Sequence, residues 1–147
     1  MPPDYGVPAA LEGTLPWAWA ETKLRDARLY WLATLHPAGR PHLMPNWGAW
    51  VQSAFMFSTS PLTRKARNLD RLPLLSVGVQ DGQHAVVIEG EVTLTRDAAL
   101  LAEMDDAYAA KYGMREGASA AFRVQPHKVF ALGDFPHTPT RWVFPRA

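Results

Sequence analysis

The stretch Phe57-Ser58-Thr59-Ser60-Pro61-Leu62-Thr63-Arg64-Lys65-Ala66-Arg67-Asn68-Leu69 gathers groups able to hold a phosphate. Ser58 and Thr59 close an apolar, strand-like run, and Arg64, Lys65, Arg67 and Arg71 follow against one acid, Asp70. Hydroxyls donate to phosphate oxygens, and Arg and Lys neutralise the charge. The run also opens a helix, whose first N–H groups and positive dipole end suit an anion. The same composition fits a solvated basic helix face, the commoner meaning of a charge run. A second stretch, Gly39-Arg40-Pro41-His42-Leu43-Met44-Pro45-Asn46-Trp47-Gly48, reads as a strand interrupted by prolines. Such a strand exposes backbone groups that a planar heterocycle can use. His42 and Asn46 add side-chain hydrogen bonds, and Trp47 a flat apolar wall. It fits equally an edge strand guarded by its prolines.

These groups need elements to position them. Pro2, Pro3, Gly6, Pro8 and Gly13 make residues 1–15 an extended arm, leaving 16–147 as one domain. Pro16 in a first turn, with Thr14 as N-cap, predicts a helix to about Ala27. Residues 29–35 form an apolar, β-prone run, and 36–40 a tight turn. The returning strand runs over 41–51, and Gln52-Ser53 turns into a strand at 54–58. A short helix over 62–71 precedes a strand at 74–79, a turn at 80–83 and a long strand at 84–95. Asp97 caps a helix to about Tyr112, with Leu100, Met104, Tyr108 and Tyr112 at i,i+4 spacing. Short strands at 121–124 and 129–132 flank Pro126, and Arg141-Trp142-Val143-Phe144 closes the pattern. Six or more antiparallel strands with few helices point to a small closed barrel.

The chain has 147 residues, within the usual range for one domain, and its 48% hydrophobic content excludes wholesale disorder. Fifteen Lys and Arg against fourteen Asp and Glu leave a net charge of +1, which argues against a polybasic nucleic-acid or membrane binder. The absence of cysteine removes disulfides, thiolate metal sites and cysteine nucleophiles. No apolar run approaches the roughly 18 residues of a membrane span. The N-terminus lacks a basic region and a clean apolar run. The expectation is a soluble cytoplasmic protein. Six tryptophans imply a core, an interface or a flat-ring site rich in aromatic surface.

The succession Tyr30-Trp31-Leu32-Ala33-Thr34-Leu35, Gly39-Arg40-Pro41-His42, Phe57-Ser58-Thr59, Arg64-Lys65-Ala66-Arg67-Asn68-Leu69 and Glu89-Gly90 resembles the pyridoxamine 5′-phosphate oxidase-like split-barrel superfamily. Within it the chain is similar to the flavin- and deazaflavin (F420)-dependent oxidoreductases, from about Trp17 to Arg96 and again at Phe122-Arg123-Val124-Gln125-Pro126 and Thr140-Arg141-Trp142. The resemblance implies a mainly β fold: a split β-barrel of the FMN-binding type, about six antiparallel strands with two to three peripheral helices. It implies a homodimer with cofactor sites at the interface and non-covalently bound coenzyme F420 or FMN. Ser58, Lys65 and Asn68 fall where the family holds the cofactor phosphate, with Thr59 beside them and Arg64 and Arg67 flanking. His42, Met44, Pro45, Asn46 and Trp47 fall along the tricyclic ring, and Arg141 and Trp142 come from the partner chain or the barrel rim. The cofactor then carries hydride to or from a small-molecule acceptor, and no side chain stands out as a catalytic acid or base. An FMN-dependent oxidoreductase and a non-catalytic flavin- or tetrapyrrole-binding protein are the alternatives.

Other candidates read as structure. The five histidines show no paired metal-ligand spacing, so no metal site is expected. Glu103, Asp105 and Asp106 read as a solvated helix face, and Trp31 and Trp50 as core or interface residues.

Overall fold

A computed structural model describes residues 14–133 and 138–145. The order is α1 (Trp17–Asp26), β1 (Tyr30–Leu35), β2 (Pro41–Asn46), β3 (Ala49–Val51), β4 (Ala54–Phe57), α2 (Arg64–Arg71), β5 (Leu74–Asp81), β6 (His84–Thr95), α3 (Ala98–Tyr112), β7 (Ala121–Leu132) and β8 (Pro139–Val143). Apart from Thr14 and Leu15, the expected N-terminal arm lies outside the described residues. The Leu15 N–H donates to Thr140 Oγ1 at 3.0 Å, tying the entry of α1 to β8. Thr14 does not cap α1: Pro16 stands at the N-cap, with no side-chain hydrogen bond there. None of the helices described is long and apolar enough to cross a membrane.

The strands form one mainly antiparallel sheet in the order β2-β1-β5-β6-β7-β4-β3, with β8 added to β7. Neither the closed barrel read from the strand pattern nor the split β-barrel of about six strands implied by the resemblance forms among the described residues. Among the described residues there are eight strands, and no ladder joins the ends of the order, β2 and β3. The cause lies in the stretch 41–51, which the sequence suggests is one strand. It breaks at Trp47-Gly48 into β2, paired with β1, and β3, paired with β4. Gly48 is buried, and a Cβ there would overlap the ring of Phe55. The two ends of the sheet are thus joined by a two-residue link, and hydrogen bonding does not cross between them. At the β2 end, two of the six strand residues, Pro41 and Pro45, have no N–H to offer a further strand.

The two short strands expected around Pro126 are one strand, β7. Its ladder with β6 pairs Glu89 with Lys128 but Gly90 with Pro126, so His127 is the extra residue of a bulge. A bulge tolerates the missing proline donor, which is why the strand continues. The hairpin signal at 80–83 is realised, with Gly82 at φ +59° between β5 and β6.

The inner face of the sheet buries Tyr30, Leu32, Phe55, Phe57, Val77, Ile88 and Val124 against Ala20 and Leu24 of α1. Each such large side chain contributes about 1.5–3 kcal/mol by leaving water. A second cluster packs Leu101, Met104 and Tyr108 of α3 on Ala49, Val51 and Met56. Trp50 belongs to the core and donates its indole N–H to Glu21 Oε2 at 2.9 Å, whereas Trp31 lies on the outer face, 44% exposed.

Gly90 marks the tightest approach of β6 to β7. A Cβ there would stand 2.6 Å from the Gln125 carbonyl oxygen and 2.7 Å from Val124 Cγ1. Gly90→Ala is expected to destabilise the fold by about 1–3 kcal/mol in urea unfolding, the scale of overpacking. A loss below about 0.5 kcal/mol would show that the strands part freely at the bulge.

Candidate functional site

The phosphate-type residues are set by the passage from β4 to α2. β4 is wholly buried and ends at Phe57, which brings Ser58 and Thr59 out half-buried at its edge. Thr63 caps α2, its Oγ1 accepting from the Ala66 N–H at 3.3 Å, so the helix starts two residues later than the sequence predicts. Ala66, Asn68 and Leu69 turn inward, which leaves Arg64 and Arg67 toward solvent. Ser58, Thr59, Ser60, Arg64 and Arg67 line one side of a cleft of about 1240 Å³. Val92, Leu94, Arg96 and Phe122 line it too, with Glu116 and Ser119 from the segment before β7. Among the described residues no carboxylate pairs with Arg64, Arg67 or Arg96.

Two members of the expected phosphate set stand elsewhere. Asn68 is fully buried: its amide donates to Thr34 Oγ1 at 3.0 Å and its Oδ1 accepts from Arg64 at 3.3 Å. Lys65 is half-buried, does not line the cleft, and has its ammonium pulled below the usual lysine range by desolvation.

The expected ring-lining residues divide between the faces of β2. His42, Met44 and Asn46 pair with Thr34, Leu32 and Tyr30, whose side chains point inward, while Pro45 pairs with the outward Trp31. The His42 Nδ1 is buried without a hydrogen-bond partner. The nearby His36 imidazole is pushed below its usual range by desolvation, then by Arg40, Arg64, His42 and Arg67, so this corner is electropositive. Asn46 Nδ2 donates to the Trp47 carbonyl at 2.7 Å and the Ser58 carbonyl at 3.3 Å. The second bond brings the end of β2 against the start of the phosphate-type segment. None of the β2 residues lines the cleft. Arg141 and Trp142 are on β8, beside Phe130 and Val129 of β7, and do not line it either. Trp142 packs edge-on to Trp17 with ring centroids 5.2 Å apart.

The sequence reading missed what holds this region. The Tyr112 ring stacks on Trp47 at 4.2 Å, and its hydroxyl accepts from the Gly48 N–H at 3.1 Å. The Tyr108 hydroxyl donates to the Trp47 carbonyl at 3.1 Å. Lys111 Nζ donates to the Ala27 carbonyl at 2.6 Å, the Tyr30 hydroxyl at 2.7 Å and the Gly48 carbonyl at 3.2 Å. Burial pulls the Lys111 ammonium down to about 8; Arg28 acts in the same direction and Asp26 against it. Burial also raises the tyrosines, with Tyr112 and Tyr108 adding to it at Tyr30, and Glu116 at Tyr108. The i,i+4 spacing of Tyr108 and Tyr112 was the available signal, but it reads as core packing. Lys111 and Glu116 carried none. Among the described residues no three His, Asp or Glu side chains cluster as a metal site requires.

An antiparallel sheet with three helices, and a cleft lined by hydroxyls and arginines beside β4, β6 and β7, define, among the described residues, a mainly β protein. More narrowly, the chain belongs to the pyridoxamine 5′-phosphate oxidase family, whose profile matches residues 18–133, and so to an oxidoreductase superfamily. Solved structures share the fold. The conserved hypothetical protein Rv2991 from Mycobacterium tuberculosis matches with a TM-score of 0.71 at 20% identity, over 85% of this chain and 88% of its own. A protein named F420 reductase matches at 0.61 and 22%, over 82% and 98%. A FAD-binding protein from Mesorhizobium loti matches at 0.66 and 20%, over 80% and 92%. No curated protein matches the chain.

The buried lysine makes a pH prediction. Its folded pKa of about 8 lies below its ordinary 10.5, so between these values the unfolded chain binds more protons and stability rises with pH. Above about 10 the raised tyrosines act oppositely, because the unfolded chain ionises first. The melting temperature of the wild type relative to Lys111→Met is expected to climb from pH 8 to pH 10. A flat difference would mean that Lys111 keeps its ordinary pKa.

Proposed function

We propose that this chain is an oxidoreductase using non-covalently bound coenzyme F420 or FMN to move hydride to or from a small-molecule acceptor. The observation that carries the reading is the junction at Ser58. Cleft hydroxyls stand there with guanidiniums that have no carboxylate partner among the described residues, joined through Asn46 to a strand whose His42 has a buried nitrogen without a described partner. One end of that junction suits a phosphate and the other the polar edge of a planar ring. The residues therefore fit such a group. The family and the names of the solved F420 reductase and FAD-binding protein support the class of cofactor.

On this reading Ser58, Thr59, Arg64 and Arg67 hold the phosphate, and Lys65 adds positive charge from the same helix. Asn68 acts through another group: it holds Arg64 in place from the core. His42, Met44, Asn46 and Trp47 face the ring, and Arg141 and Trp142 act from the partner chain. When bound, the ring supplies the hydride chemistry; the protein orients it and shields one side.

Equilibrium binding of the cofactor-free protein to both ligands tests the reading. A preference of tenfold or more for F420, about 1.4 kcal/mol, assigns the deazaflavin branch, and the reverse assigns the flavin branch. Lys65→Ala is expected to weaken the preferred cofactor by about 0.5–1 kcal/mol, the scale of a nearby charge that does not touch the phosphate. Unchanged affinity in a folded variant removes Lys65 from the site. A chain that binds the ring but reduces no generic acceptor is a binding protein instead.

The reading includes a homodimer with shared sites. The outer face of β2, β1 and β5 carries Trp31, Leu35, Leu43 and Leu74 exposed, Leu43 to 58%. A flat apolar face of this kind is normally covered. Sedimentation velocity is expected to show a dimer that Leu43→Glu converts to monomer. A wild type that stays monomeric at every concentration while binding cofactor fully would contradict the shared site.

A further inference from the structure

Glu116 lies between α3 and β7, and its carboxylate accepts the hydroxyl hydrogen of Ser58 at the cleft. The segment carrying it is anchored on both sides. Arg115 Nη2 meets Asp106 Oδ1 at 2.8 Å, and the Gly117 N–H donates to Asp105 Oδ1 at 3.2 Å. Gly113 and Gly117, at φ +75° and +63°, supply the left-handed turns that bring the chain back across the cleft. The cleft offers three guanidiniums, yet Glu116 forms an ion pair with none of them and instead occupies the one hydroxyl donor of Ser58.

We propose that Glu116 is a charge-selective residue of the phosphate pocket: its carboxylate holds the Ser58 hydroxyl until a phosphate ester displaces it. This rests on the reading above, that Ser58 receives the cofactor phosphate. An anion arriving at Ser58 must take a donor already engaged and must come close to a second negative charge. The opposition grows with the charge of the phosphate. FMN presents a monoester that is nearly doubly charged at pH 7, whereas the phosphate of F420 is a diester with one charge. Riboflavin presents none. Glu116 therefore penalises FMN most, F420 less and riboflavin not at all, which favours the deazaflavin over the flavin at the same set of cations.

The test is the dissociation constant of FMN, F420 and riboflavin for the wild type and for Glu116→Gln, which keeps the length and hydrogen-bonding reach of the side chain without its charge. Glu116 is exposed, so an unchanged melting temperature is the check that the variant is folded. The variant is expected to bind FMN about tenfold more tightly, F420 by a smaller factor and riboflavin as before. An FMN-to-riboflavin ratio identical in the two proteins overturns the proposal, as does a variant that binds FMN more weakly. Ser58→Ala separates the two layers of the argument. If it leaves the FMN-to-riboflavin ratio of the wild type unchanged, the placement of the phosphate at Ser58 fails and the role of Glu116 falls with it. If it raises that ratio of dissociation constants, weakening FMN relative to riboflavin, while Glu116→Gln has no effect, only the role of Glu116 fails.

Discussion

The two-residue link Trp47-Gly48 is the constraint on which the rest of the structure depends. It joins strands at opposite ends of the sheet order, so its backbone leaves one ladder before entering another. Backbone groups that leave a ladder inside a protein need other partners. α3 supplies them: Tyr108 serves the Trp47 carbonyl, and Lys111 and Tyr112 serve Gly48. The lysine simultaneously closes the end of α1 through Ala27 and the start of β1 through Tyr30. A cation is retained in this partly buried place because three oxygens converge on it, and that convergence is available only if the sheet ends are drawn together.

The same link sets the site. Holding Trp47 beside β4 places Asn46 within reach of the Ser58 carbonyl, so the strand expected along a ring and the segment expected around a phosphate become neighbours. The polar groups of the two halves are treated differently from those of the core. In the core, Asn68 has both ends of its amide engaged, by Thr34 and Arg64. At the junction, among the described residues, His42 keeps a buried nitrogen without a partner and three guanidiniums face a cleft with no carboxylate paired to them.

Much of this was legible in the sequence, and the failures share a cause. The β5–β6 hairpin, β6, α3 with its Asp97 cap and the helix after Pro61 all rest on local signals: a turn glycine, alternation, a capping residue, a basic amphipathic turn. Sheet closure depends on a ladder between strands distant along the sheet, and no local pattern reports it. The break at Gly48 is invisible for the same reason, since only the packed Phe55 ring makes a side chain there intolerable. Pro126 argued for two strands because a proline ends a regular ladder, and the bulge that admits it is a property of the pair with β6. At the site, types such as Ser58, Arg64 and Arg67 could be read from their chemistry. Asn68 could not be told from a ligand-holding amide, because its partner Thr34 lies 34 residues away.

This contrast bears on how a site differs from a core when both contain polar groups. A buried acceptor or donor left unmade costs about 1–3 kcal/mol, and a protein of ordinary stability carries few such losses without a compensating use. The Lys111 cluster is close to balanced: its hydrogen bonds end on oxygens that need them, and its function is complete in the folded chain. The junction of His42, Arg64, Arg67 and Ser58 is unbalanced: three guanidiniums outnumber the two acids of the cleft, Asp70 and Glu116, and Glu116 engages a hydroxyl rather than a cation. On the proposed reading an anionic ligand with a polar ring edge restores the balance there, whereas the same ligand offered to the Lys111 cluster would find no donor unused.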